Sequence, residues 1–215
     1  MNINLDLGIT TKIDAINQVL ESVGSVGINS EEEIDYNIDA SSADKLIDSV
    51  SQKIQDNSGR GWWFNREEFH KLTPNPVTGI VTVPSNTTSC KIKRNDRNQP
   101  LPVTLRGTRL FDTKNVGYDM RELVDSSGLL PCVLVVNLEF DFIPTTAKHA
   151  ITDACRFWFV NDKEGDQIKM ASHQRAANSS YISLQSEDAG QQRRNLLNNG
   201  RISSAINKIG GYNNN

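Results

Sequence analysis

The chain has 215 residues, of which 37% are hydrophobic and 7% aromatic, and its formal net charge is −3. That length suits one large domain, or a small domain carrying an insertion, with enough apolar residues for a core. Three cysteines without CxxC spacing and three scattered histidines exclude a disulfide framework and a zinc pattern, and make a reducing compartment the simplest assumption.

Much of the polar excess is Asn, Ser and Gln, as expected of a chain that buries part of its apolar surface against neighbours. The opening MNINLDLGIT has no basic n-region and no apolar h-region, and no apolar run approaches the ~18 residues of a membrane span. Neither a standard secretory signal nor a membrane span is expected.

In TTKIDAINQVLESVG the positions Ile13, Ile16, Val19, Leu20 and Val23 recur at helical spacing. They predict a first amphipathic helix, capped by Thr10 or Thr11 and stopped at Gly24. A loop-like acidic stretch comes next, and Ile38, Ala43, Leu46, Ile47, Val50 and Ile54 mark a second helix from about Ile38 to Gln55. DNSG ends it.

After GRGWWFN the pattern changes. Pro74, Pro76, Pro84, Pro100 and Pro102 forbid long helices, and short alternating runs predict strands at Ile80–Val83, Cys90–Arg94, Val103–Arg106, Arg109–Asp112 and Leu134–Phe142. The last places Leu134, Val136, Leu138, Phe140 and Phe142 on one face and Val135, Asn137, Glu139 and Asp141 on the other, as in a half-buried antiparallel strand.

From Pro144 the helical period returns through Ala147, Ala150, Ile151, Ala154, Phe157 and Trp158, predicting a third helix to about Val160. A fourth, from about Gln167 to Asn195, carries only sparse apolar positions among Gln, Ser and Arg. A helix this polar is expected to line something or to lie between chains. The order predicts an α+β fold: a helical bundle formed from both ends of the chain, residues 1–60 and 143–197, with an inserted antiparallel β-domain at 61–142. Residues 198–215 read as a tail that is flexible or ordered by a partner.

The sequence holds no GxSxG, HExxH, GxxxxGK[ST] or GxGxxG motif, so neither a cofactor nor a metal is expected. His70, His149 and His173 lie far apart. Paired carboxylates such as Glu67/Glu68 or Glu139/Asp141 could in principle form a glycosidase dyad, but acidic neighbours are common and adjacency alone does not make one. Trp62, Trp63 and Phe64 come after Gly59 and Gly61, with Arg60 and Arg66 beside them. If extended, this stretch points Trp62 and Phe64 one way and Trp63 the other, predicting a core or hinge element in which Trp158 is a packing partner. On that view Trp63→Ala costs about 3–5 kcal/mol.

Charge is segregated. Between Lys12 and Lys45 every charge is acidic, including Glu31, Glu32 and Glu33; Lys91, Lys93, Arg94, Arg97, Arg106 and Arg109 form a basic segment; and after Asp188 there remain Arg193, Arg194, Arg201 and Lys208 but no acid. Such patterning suits docking of unlike faces. The acidic loop Asn29–Asp39 and the basic segment Arg193–Lys208 are therefore candidate inter-subunit contacts.

AINQVLESVG, KLIDSVSQKIQ, RGWWFNREEFHKLTPNPVTGIVTVPSNT, LRGTRLFDTKNVGY and LEFDFIPTTAKHAITDACRFWFVND, in that order from about Ile13 to Leu197, resemble the tail tubular protein A family, the head-to-tail adaptors of T7-like podoviruses. The resemblance implies a homo-oligomeric ring, twelve-fold, between the portal and the nozzle (tail tubular protein B), with its helical part near portal and channel and its β-domain towards the outside. It also implies a role in seating tail fibres, a place in the virion tail after assembly in the bacterial host cytoplasm, and passage of double-stranded DNA without sequence-specific binding. Assembly, not catalysis, would be the mechanism. The competing expectations are a tail-associated glycan or peptidoglycan hydrolase, and a DNA-binding module built on Lys91–Arg109.

Overall fold

The computed structural model describes residues 9–93 and 101–197, with side chains as far as residue 192. Thr11 sets the start of the first helix: its hydroxyl accepts from the Asp14 amide at 3.2 Å, while the Asp14 carboxylate accepts from the Thr11 amide at 2.9 Å. This reciprocal capping box leads into α1, Lys12–Ser22, and Gly24 at φ 71° supplies the left-handed turn that stops it. The Asn17 side chain then clamps the returning chain, donating to the Ile28 carbonyl at 2.9 Å and accepting from the Ile28 amide at 2.7 Å.

A single 3₁₀ turn, Glu31–Asp35, carries the acidic run. The second helix, α2, runs Ile38–Asp56, and Asn37 caps it, the Asn37 side-chain oxygen accepting from the amides of Asp39 and Ala40 at 3.0 and 3.1 Å. Asn57, Ser58 and Gly59 all take positive φ, and Gly61 does so again at 64°. A Cβ at Gly61 would stand 2.9 Å from Val135 Cγ1, so side-chain space as well as backbone conformation excludes other residues there.

The chain divides into two units. One comprises the chain up to Ile47 and from Pro144 onward; the other is Asp48–Ile143. The sequence pattern puts the boundary between residues 60 and 61, whereas the last turns of α2 group with the β-rich segment because they hydrogen-bond to it through Ile54 and Gln55.

In the first unit α3, Thr145–Lys163, begins with Pro144 as its N-cap, and α4 runs Gln167–Leu197. α3 packs on both α1 and α4. Ala15, Ile16, Val19 and Leu20 of α1, Ala147, Ala150, Ile151, Cys155, Phe159 and Val160 of α3, and Leu184 of α4 are buried. Ion pairs reinforce this unit: Lys12 meets Asp44 at 2.7 Å and Lys163 meets Asp39 at 2.9 Å. The Lys163 hydrogen bond, with one from Ser25, holds the Asp39 carboxyl below the usual carboxylate range.

The second unit holds β1 (Arg66–Leu72), β2 (Thr87–Ile92), β3 (Val103–Arg106), β4 (Arg109–Asp112) and β5 (Leu130–Val136). β5 lies between β1 and β2 in an antiparallel sheet, and β3 and β4 pair as a hairpin. Leu130, Cys132, Leu134 and Val136 join Leu72, Cys90, Ile92, Val81, Val83, Leu110 and Met120 in one core. The combination of helices and small antiparallel sheets is the expected α+β fold.

Three strand expectations need correction. Ile80–Val83 forms only an isolated bridge, Thr82 with Arg109, although Val81 and Val83 are buried. Cys90–Arg94 starts earlier, at Thr87, and Arg94 is outside the described residues. Leu134–Phe142 is instead Leu130–Val136, with both faces covered, and Phe140–Phe142 turns into a 3₁₀ helix. The strand ends because the backbone of Leu138 leaves the ladder for Gln55 of α2. The Gln55 amide accepts from Leu138 N and donates to Leu138 O, both at 2.9 Å.

The aromatic stretch is not extended. Asn65 N bonds to Trp62 O at 3.3 Å in a turn, and the Asn65 side chain fills it, accepting from Trp62 N at 2.7 Å and donating to Gln55 O at 3.0 Å and Val136 O at 2.9 Å. Trp62 is 2% exposed and its Nε1 donates to Ile54 O at 2.6 Å. Trp63 and Phe64 are half-buried and meet edge to face, with centroids 5.0 Å apart. Trp158 is 50% exposed, in edge contact with Phe157 at 5.1 Å.

Asn65→Ala strands three buried backbone groups at once and is expected to cost about 3 kcal/mol, read from denaturant unfolding; a loss below 1 kcal/mol would show the turn holds without it. The burial pattern transfers the large-to-small cost from Trp63 to its neighbour. Trp62→Ala is expected to lose about 3–5 kcal/mol and Trp63→Ala less than half of that in the same assay.

Candidate functional site

Catalytic chemistry finds little support in the geometry. Glu67 Oε2 is 2.8 Å from His70 Nδ1, and Glu68 is paired with Arg66 at 3.1 Å, so the adjacent carboxylates point to separate partners. Glu139 and Asp141 do not share a strand face; they lie in and beside the 3₁₀ turn Phe140–Phe142. Hydrogen bonding with Cys132 and burial push the Cys90 thiol up, and burial does the same to Cys155, which keeps both protonated. Among the described residues no group of three or more His, Cys, Asp and Glu could hold a metal ion. Likewise, no helix among them is long and apolar enough to cross a membrane.

The surface features are more informative. At about 1.5 Å per residue, the 31 residues of α4 span roughly 46 Å. Met170, His173, Ala177 and Tyr181 form a half-buried stripe with Leu184, the single fully buried side chain of the helix among the described residues. Thr146 Oγ1 fixes the far end to α3, donating to Glu187 Oε2 at 2.6 Å. Away from that stripe the exposed surface is Lys169, Ser172, Gln174, Arg175, Asn178, Ser179, Ser183, Gln185 and Ser186, with Ile168 and Ile182 as the large apolar exceptions.

Three serines of α4 spend their donors on their own helix. Ser180 Oγ donates to Ala176 O at 3.1 Å, Ser183 Oγ to Ser179 O at 3.0 Å and Ser186 Oγ to Ile182 O at 2.9 Å. The face is therefore polar and mostly uncharged, with Lys169 and Arg175 as its exposed cations among the described residues. Arg193 and Arg194 belong to the last turns of α4, but their side chains, like Arg201 and Lys208 entirely, lie outside the described residues.

Glu31 and Glu32 are exposed in the 3₁₀ turn Glu31–Asp35, while the Glu33 carboxylate accepts from the Asn29 amide at 3.3 Å. Val26, Tyr36 and Ile38 around them are 82%, 91% and 82% exposed. Large apolar groups so fully exposed beside a block of carboxylates mark a surface that a partner covers more often than bare solvent does.

The β-rich unit adds a basic cleft that sequence order conceals. In the sheet register Arg66 stands opposite Val135, Ser89 opposite Val135 on the other side, and Lys91 opposite Val133. Arg60 and Lys93 complete the rim of a cleft of about 390 Å³. The charges were visible in the sequence, on either side of a long intervening segment, but only strand pairing brings them together.

A model of the tail tubular protein family matches residues 13–205. No curated protein matches the chain. The family match covers most of the sequence, including the aromatic turn, the β-rich unit and α4. This chain belongs to the tail tubular protein family and is a structural component of a bacteriophage tail.

Proposed function

We propose that the protein is the head-to-tail adaptor of a short-tailed phage. Copies close into a ring, twelve-fold by family resemblance, that docks on the portal above and the nozzle below, forms part of the DNA-ejection channel and helps seat the tail fibres. Identical subunits making the same head-to-tail contact close a ring when the rotation between them divides a full turn.

The observation that carries this reading is the outward face of α4. Each Lys or Arg contact to phosphate adds affinity and salt dependence, so a wall past which a duplex must slide is best built from groups that neither bind nor strongly repel it. Ser183 and Ser186, hydrogen-bonded to their own helix, with Asn and Gln around them, come close to that requirement over several turns, with Arg175 the one exposed cation between Lys169 and Gln192. The net charge of −3 works in the same direction. On this reading catalysis plays no part, and assembly takes place in the host cytoplasm before the ring takes its place in the virion tail.

The test is the mass of the purified chain in solution, alone and mixed with portal rings. Growth to a large ring, alone or only on the portal, is the expected result; a monomer that ignores the portal overturns it. A second measurement addresses the channel wall. In assembled rings, Ser179→Lys, Ser183→Lys and Ser186→Lys together are expected to tighten duplex binding and steepen the log–log salt slope by about one per lysine that reaches a phosphate. An unchanged slope would put this face of α4 away from the DNA.

A further inference from the structure

The basic cleft of the β-rich unit and the acidic turn of the helical unit complement each other in two respects. The cleft has an apolar floor, Val133 and Val135, and a rim of Arg60, Arg66, Lys91 and Lys93 without an acidic lining residue. Arg66 meets Glu68 at 3.1 Å, while Arg60, Lys91 and Lys93 have no carboxylate partner among the described residues. The 3₁₀ turn offers the converse: exposed Glu31, Glu32 and Asp35, then Tyr36 and Ile38 with their apolar surface in solvent.

We propose that residues 31–38 of one copy dock into the Arg60–Arg66–Lys91–Lys93 cleft of a neighbouring copy. Carboxylates would meet the rim while Tyr36 or Ile38 enters towards the valine floor. This rests on the ring reading, because it supplies one of the repeated contacts between subunits. It differs from the pairing that charge in the sequence suggests, in which the acidic turn meets the C-terminal basic segment.

The shape of the cleft favours a peptide over nucleic acid. A volume of about 390 Å³ is near the low end of the roughly 300–1,000 Å³ range of small-ligand sites and accommodates a few side chains. Duplex DNA presents its phosphates on a convex cylinder, which this concavity could touch only at its rim. A contact using one unit of each copy is also heterologous, and so can repeat around a ring.

The experiment uses the full-length chain and a fluorophore-labelled synthetic peptide of residues 29–38, with anisotropy as the readout. Capture is expected, weakening as salt screens the rim charges. Lys91→Glu with Arg66→Glu should weaken it at least about tenfold, and a peptide carrying Glu31→Lys and Glu32→Lys should bind the reversed cleft better than the native one. Arg66 and Lys91 have exposed side chains, so the variant is expected to keep the wild-type Tm; Arg60→Glu replaces either substitution that does not.

In assembly assays each reversal alone should block the ring, and both reversals in one chain should restore it. Failure of the wild-type chain, kept dilute enough to be monomeric, to capture the peptide, or capture unchanged by the cleft variant, overturns the proposal. So does loss of duplex binding in the cleft variant when the peptide never bound. Rings that form with either reversal sink the cleft contact and leave the ring reading intact. A wild-type chain that forms no ring, even on the portal, sinks the ring reading, while peptide capture still decides the contact between copies.

Discussion

A buried amide, Asn65, is the point on which the β-rich unit is organised. It joins three segments: the end of α2 through Gln55 O, the aromatic turn through Trp62 N, and the end of β5 through Val136 O. Gln55 repeats the device one step along, bonding both backbone groups of Leu138. A buried carbonyl or amide without a partner costs about 1–3 kcal/mol, so each of these segments is held where its backbone can be satisfied. The consequence is directional. Packing alone would tolerate several placements of an apolar strand against a helix end, whereas two amides with fixed donors and acceptors tolerate one.

The two units reach stability by different means. The β-rich unit closes around a compact apolar core, and its central strand is covered on both faces. The helical unit ends in a helix that contributes Leu184 and a narrow stripe, and its exposed polar surface gains little from burial. An isolated helix of this composition would be marginal in water, since packing of an apolar face normally supplies most of a helix's stability. That a 31-residue helix is kept with so thin an apolar seam is consistent with selection for what its outer face does.

The helices were legible because their signals are local: a capping Thr with Asp three residues on, apolar residues at 3.6 spacing, a glycine stop, a Pro–Thr start. The hairpin β3–β4 was legible for the same reason, its Gly107 turn lying between two short alternating runs. What sequence order hid is non-local. β1, with the sequence REEFHKL, is an edge strand exposed through most of its length, so no apolar alternation betrays it. In β5 the alternation continued beyond the strand because Leu138 and Phe140 pack after the ladder has ended, and only the Gln55 bonds reveal the exit. The family motifs identified the kind of protein, yet the basic cleft depends on register between strands far apart in the chain, which no window of sequence contains.

On the proposed adaptor reading the chain would have to satisfy two opposed electrostatic demands: bind its neighbours firmly and its cargo weakly. Mixing both signs of charge everywhere would meet neither, since scattered cations would hold phosphate and scattered pairs would not specify an orientation between subunits. This chain separates them. Carboxylates cluster in one exposed turn, basic groups gather around a concave site in the other unit, and the long face of α4 is mostly polar, with Lys169 and Arg175 its exposed cations among the described residues. Screening at physiological salt confines each cluster's reach to about 8 Å. A cluster would therefore act on the surface docked against it and hardly at all on a duplex passing farther off, so under the proposed function adhesion between subunits and slipperiness of a channel wall could be set independently in one polypeptide.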